Sequence, residues 1–233
     1  MLVAPAARAW RLEPLMMDEA GATAVAVSGD GRVAVGDGRG VWLGDAEGGF
    51  ARVELRGGVR DLAFAADASL YVASDAGLLR VAGGRKELRA PAPGEAARDV
   101  RRVATSGAIV AAASAAGVFW STDGQRFARV EVAAGEAPAS GLALEAGPHA
   151  DTVLWIATER GLFSVALAAR DGAGVLRAER VAAPIDLRPA YDVWSGDGRV
   201  VALGRTHVLV RAAGGAFSAR EAPLPPGAAP LRV

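Results

Sequence analysis

Along most of this chain, apolar and polar residues alternate with a period of two, as in Val25 and Val27 and again in Val33 and Val35. Glycine-rich triplets such as Gly29-Asp30-Gly31 and Gly38-Arg39-Gly40 interrupt the alternation. A period of two sends successive side chains to opposite faces of a strand, and glycine supplies the positive φ that tight hairpin turns require. The pattern therefore predicts short antiparallel strands, although the abundant alanine is a strong helix former. Helical turns are expected only near Glu95–Arg98 and Met16–Ala20.

The strands recur as a unit of strand, turn, strand, tight turn, glycine and a third apolar strand. Copies begin at Thr23, Val59, Val100, Ala139 and, more weakly, Ala190. The glycines that open the third strand are Gly40, Gly77, Gly117 and Gly161, with Thr206 in the last copy. Their spacing, roughly 37 to 45 residues, is that of propeller-blade repeats. A fourth strand follows in most copies, at Phe50–Leu55, Arg85–Ala90, Phe127–Val132 and Phe217–Ala222. The expected fold is all-β, a β-propeller of about five four-stranded blades whose stacking buries faces that no blade buries alone. Trp10–Leu15 repeats the fourth-strand pattern and is expected to close the ring in the last blade. The domain boundaries that follow are residues 1–9 as the remnant of a signal peptide, 10–222 as the propeller and 223–233 as an extended tail.

Two of these units carry a resemblance. Thr152–Phe163, with Trp155-Ile156-Ala157-Thr158 followed by Gly161-Leu162-Phe163, and Ser69–Arg80 are similar to repeats of bacterial two-component-regulator sensor propellers and of sortilin and BNR-like proteins. Ser121–Phe127 resembles the Asp-box of BNR repeats, one residue short and without the second glycine. The resemblance implies a propeller architecture and a turn role for Asp123 between outer strands; it implies no particular function.

Composition narrows the partners. The 233 residues hold 26 basic and 26 acidic side chains, with Lys86 the only lysine and the arginines scattered. No nucleic-acid partner is expected of so balanced a chain. The absence of cysteine excludes disulfides and thiolate metal sites. The apolar runs are too short for an integral membrane segment. Ala7-Arg8-Ala9 matches the small-residue pattern of a signal-peptide cleavage site, which places the protein in the periplasm or outside the cell, the alternative being the cytoplasm.

No catalytic constellation stands out. Asp30, Asp37, Asp45, Asp67, Asp75, Asp123 and Asp197 lie in turns, where aspartate bonds its own backbone. His149 and His207 are far apart in sequence, so no metal site and no cofactor are expected. Of the tryptophans, Trp42 and Trp120 are assigned with Leu79 and Phe163 to one third-strand position packing between blades, Trp155 to a second strand, and Trp194 to a first strand facing the axis. The candidate binding residues are Asp37, Arg39, Asp75, Glu159, Arg160 and Arg205, on turns that crowd one face, together with Trp194. They suit a monomeric, non-catalytic module binding a protein, peptide or glycan. The alternative is a carbohydrate hydrolase or lyase, which needs two carboxylates within about 10 Å of each other at one mouth of the channel.

Overall fold

A computed structural model describes residues 21–45, 48–89, 98–133, 138–146, 152–167, 176–212 and 214–222. Among them are twenty strands and no helix. They fall into five consecutive antiparallel meanders. Unit one is β1(Ala24–Val27), β2(Arg32–Gly36), β3(Gly40–Asp45) and β4(Gly48–Glu54). Unit two is β5(Val59–Phe64), β6(Leu70–Ser74), β7(Gly77–Ala82) and β8(Arg85–Arg89). Unit three is β9(Val100–Ser106), β10(Ile109–Ser114), β11(Gly117–Ser121) and β12(Ala128–Val132). Unit four is β13(Ala139–Ala146), β14(Thr152–Thr158), β15(Gly161–Leu167) and β16(Leu176–Arg180). Unit five is β17(Ala190–Gly196), β18(Arg199–Gly204), β19(His207–Ala212) and β20(Ser218–Glu221). No described helix is long and apolar enough to cross a membrane.

The register of each meander aligns the units residue by residue. Val25, Leu62, Val103, Leu142 and Val193 are equivalent, because they pair with Val35, Val72, Ala112, Ile156 and Ala202 of the second strands. The next residue forms a second row, Ala26, Ala63, Ala104, Ala143 and Trp194. Alternation sends the two rows to opposite faces of each sheet. Leu62 packs toward unit one and Ala63 toward unit three, and the same holds along the chain. Four apolar cores result, one at each seam between consecutive units.

Among the described residues no such core joins unit five to unit one. Val25 and Val27 on the outward face of unit one are 66% and 67% exposed, whereas Leu62, Val103, Leu142 and Val193 are buried. Trp194, on the outward face of unit five, is 42% exposed. The closing strand expected at Trp10–Leu15 lies outside the described residues, as do the segments 1–9 and 223–233 and the helical turns expected at Met16–Ala20 and over most of Glu95–Arg98.

Two details differ from the sequence reading. Phe119, not Trp120, shares the third-strand position of Trp42, Leu79 and Phe163, since it pairs with Ala112 as Leu79 pairs with Val72. Trp120 is one residue further on and faces the core between units three and four. Unit four also has a fourth strand, β16, and it runs parallel to β12 of the preceding unit, Val130 opposite Leu176. This pairing merges units three and four into one eight-stranded sheet.

Candidate functional site

The five first strands face a common axial pocket of about 370 Å³. Val25, Val27, Asp61, Phe64, Arg102, Thr105, Leu144, Asp192, Trp194 and Ser195 all contribute to its wall. Where these strands begin, a β-bulge in units two to five skips one residue of the register, Arg60, Arg101, Ser140 or Tyr191, just ahead of Asp61, Arg102, Gly141 and Asp192. The bulge sharpens the local twist and re-aims the side chains beside it.

These residues stitch the seams. Asp61 Oδ2 accepts the Val103 N–H at 3.0 Å while its Oδ1 accepts the Leu62 N–H at 3.0 Å. Arg102 Nε donates to the Ser140 carbonyl and its Nη1 to the Arg101 carbonyl at 3.1 Å. Ser140 Oγ donates to the Ala190 carbonyl at 2.7 Å. Lower in the pocket, Thr105 Oγ1 donates to the Phe64 carbonyl at 2.6 Å and Ser195 Oγ to the Leu144 carbonyl at 2.8 Å. Gly141 has no side chain, and the space is filled by Asp192, whose Oδ1 accepts its own Val193 N–H at 2.9 Å.

Burial, with a smaller push from the Asp192 charge, raises the Asp61 carboxyl to about 6 against the opposing pull of the Val103 N–H and Arg102. The axis thus holds a carboxyl group that titrates near pH 6 in electrostatic contact with a second carboxylate.

The turns linking second to third strands lie at the pocket's mouth, alongside the segments that enter each first strand. The Asp37 carbonyl accepts the Val59 N–H and the Asp75 carbonyl accepts the Asp99 N–H, both at 3.1 Å. Asp37 itself is buried. Its carboxylate accepts the Arg39 and Gly40 N–H groups, each at 2.7 Å, and Trp42 Nε1 at 3.0 Å, with Arg52 Nη2 at 3.4 Å. Burial presses its carboxyl pKa upward, but these donors together hold it below the usual value. Arg39 and Arg205 are exposed.

Asp75 pairs with Arg60 at 2.7 Å and also accepts the Gly58 N–H at 3.1 Å. Glu159 lies in a hollow of about 420 Å³ with Arg60, Asp99, Arg101, Arg102 and Ser140. It also borders a second hollow with Arg160, Arg180 and Arg188. The structure therefore groups Asp75, Glu159 and Arg160 through neighbouring arginines, while Trp194 belongs to the axial pocket. Sequence reasoning missed Arg60, Asp61, Arg101, Arg102 and Asp192. Their signal was a polar residue at the start of successive first strands, visible only once the bulged register is known.

Asp123 lies in the turn between β11 and β12, where its Oδ1 accepts Ser121 Oγ at 2.9 Å and the Gln125 and Arg126 N–H groups at 2.8 and 3.0 Å. Beneath that turn Tyr71 packs so closely that a Cβ at Gly124 would lie 2.0 Å from its hydroxyl. Among the described residues no group of three or more potential ligands could hold a metal ion.

No family model and no curated protein matches this chain. Solved structures do. Virginiamycin B lyase from Staphylococcus aureus superimposes with a TM-score of 0.67 at 13% identity, over 89% of this chain and 72% of the lyase. The extracellular domain of a hybrid two component system from B. thetaiotaomicron gives 0.62 at 14%, over 89% of this chain and 28% of that one. A gluconolactonase from Xanthomonas campestris gives 0.58 at 15%, covering 82% and 72%. At such identities the likeness concerns the fold alone, and the fold is all-β and propeller-like. Proteins sharing it include both enzymes and the extracellular domain of a two component system.

Proposed function

We propose that this chain is a non-catalytic binding module whose ligand or partner sits in the axial pocket and on the turn face at its mouth. One observation carries the reading. In four units the second row holds alanine, buried or partly buried in a seam; in the fifth it holds Trp194, 42% exposed on the outward face of unit five, and all five positions line the pocket. An exposed tryptophan supplies a large rigid contact surface, and such residues anchor interfaces. Trp194→Ala restores the residue that the other units use, so the protein keeps its melting temperature. The same variant loses the thermal shift that a panel of oligosaccharides and peptides produces in the parent; an unchanged shift overturns the reading.

The finer architecture belongs to the same proposal: the five units are five blades, and Trp10–Leu15 pairs along the open edge of β20. A disulfide engineered between the two segments in this cysteine-free chain tests the pairing. The Ala7-Arg8-Ala9 pattern supports export, which cell fractionation checks, and a single sedimenting species of one chain is expected.

The Asp61 and Asp192 pair favours a second reading, a carbohydrate hydrolase or lyase. A carboxyl raised to about 6 chiefly by burial, and pushed up also by a second carboxylate on the same pocket wall, is the kind of group that acid–base chemistry uses. Release of new reducing ends or unsaturated products from a polysaccharide, abolished in Asp61→Asn, would establish it over the binding reading.

A further inference from the structure

Gly196 stands two residues beyond Trp194 on β17, and we propose that it positions the indole as a flat platform on which the axial pocket stacks a pyranose ring of its ligand. The inference rests on the binding-module reading; it names the class of ligand and the residue that shapes its seat.

Residues two apart on a strand share a face. A Cβ built at Gly196 would lie 2.4 Å from Trp194 Cζ2, 2.7 Å from Cη2 and 3.3 Å from Cε2, all atoms of the indole's six-membered ring. The ring therefore lies down along the strand, over the bare Cα of Gly196. In the other units the register puts Ser28, Ala65, Ser106 and Glu145 at the corresponding position, two residues beyond Ala26, Ala63, Ala104 and Ala143. Unit five departs from the pattern at both places together, with tryptophan for alanine and glycine for a residue that has a side chain. The main chain does not require this glycine, because its φ lies outside the left-handed region that favours glycine. What the glycine provides is room for the ring.

The strand covers one side of the indole, and the residue stays exposed in the pocket wall. Elsewhere in that wall, Thr105 and Ser195 donate their hydroxyl hydrogens to the Phe64 and Leu144 carbonyls. Each oxygen keeps its lone pairs, so these hydroxyls face a ligand as acceptors. The carboxyl oxygens of Asp61 and Asp192 belong to the same wall. Such a pocket suits a ligand with an apolar face for the indole and hydroxyl donors around its edge. A pyranose has both, in the C–H groups of its faces and the hydroxyls of its rim. An aromatic side chain would also stack on the indole, but it would set carbon against the wall's oxygens and strip them of water.

The test titrates the full chain by calorimetry with cellotriose, chitotriose and mannotriose, and with the tripeptide Gly-Trp-Gly as the aromatic alternative. At least one sugar is expected to bind, and the peptide is not. Gly196→Ala weakens that sugar by about 10-fold or more. The variant keeps the parent's melting temperature, since the exposed ring swings aside and the main chain stays. In a Trp194→Ala background no ring overlies position 196, and the same change alters neither the melting temperature nor the residual binding. In protein labelled with fluorotryptophan, the one of the five side chains whose fluorine resonance Trp194→Ala removes is also the one whose resonance moves in Gly196→Ala. An unmoved resonance, undiminished sugar binding in Gly196→Ala, or equal destabilisation in both backgrounds overturns the positioning role. Binding of the peptide and of no sugar overturns the sugar class and leaves the module reading intact. Failure of all four probes overturns that class too, and the Trp194→Ala panel then judges the module reading by itself.

Discussion

Gly141 and Asp192 touch across the seam between units four and five so closely that a Cβ at position 141 would lie 2.3 Å from Asp192 Oδ1. The same Cβ would meet the Val193 nitrogen at 2.7 Å and the Asp192 Cα at 2.8 Å, and main-chain atoms cannot swing aside as a long side chain can. Gly141→Ala must therefore push the two first strands apart. A loss of about 2–3 kcal/mol, in the upper range for overpacking, is expected in urea unfolding. A variant as stable as the parent would mean that the two first strands do not meet closely at this seam.

Asp37 illustrates how far the turn pattern could be read. The sequence Gly36-Asp37-Gly38-Arg39-Gly40 marks a tight turn at the edge between second and third strands, and the turn is there. An aspartate in a turn has two fates, however: facing solvent as part of a binding edge, or turning inward to cap the turn's own N–H groups. Period and spacing are the same for both. What separates them is Trp42 and Arg52, five and fifteen residues on, whose side chains converge on the carboxylate only after β3 and β4 have paired. Asp37→Ala leaves those donors without their buried acceptor and is expected to cost about 3–4 kcal/mol, whereas Asp75→Ala, at an exposed ion pair, costs less than about 1 kcal/mol. Paired thermal melts of the two variants make the comparison.

The repeat itself was legible because each unit announces it locally, through the glycine that opens the third strand and the alternation on either side. The seams were not, since they join residues 42 to 51 positions apart: Asp61 to Val103, Ser140 to Ala190, Ser195 to Leu144. Trp120 shows the limit of counting from the glycine. Phe119 and Trp120 are both large and aromatic, and only the register decides which faces the preceding unit. The parallel pairing of β12 with β16 had no local signal, because two outer strands with ordinary alternation read the same whether or not their edges meet.

A cluster in the last seam offers a cleaner energetic measurement. Arg211 lies over the Trp155 ring at 4.8 Å and near the Phe217 ring at 5.7 Å, and it pairs with Glu145, which also accepts Trp155 Nε1 at 3.0 Å. The charges are largely buried, so the pair is coupled to the aromatic packing. A double-mutant cycle of Glu145→Gln and Arg211→Met should return a coupling of about 1–3 kcal/mol, with each single variant costing more than the double variant's share. Additive effects would show that the two side chains stabilise the seam independently.

Asp61 sets the sign of one pH dependence. Its folded-state pKa, about 6, lies above the value near 3.9 of an unfolded aspartate, so the folded chain binds the proton more tightly. Between roughly pH 4 and 6 the native state therefore holds more protons than the unfolded state, and this group's contribution falls as pH rises. Above the folded pKa the seam carries a buried carboxylate at a cost on the order of 2 kcal/mol, allowing for the side of the group that water reaches. Most other shifted carboxylates act in the opposite direction. Asp67, lowered to about 2 chiefly by its hydrogen bond from Ser69, and Asp123, lowered by the N–H groups of its turn, contribute stability that is lost as the solution becomes more acid than about pH 4. The difference between parent and Asp61→Asn isolates the axial group, because every other carboxylate is common to both. Measured by urea unfolding, the parent's advantage over the variant should shrink from pH 4 to pH 7 by about 2 kcal/mol; a difference that stays flat across that interval would place the Asp61 pKa outside it.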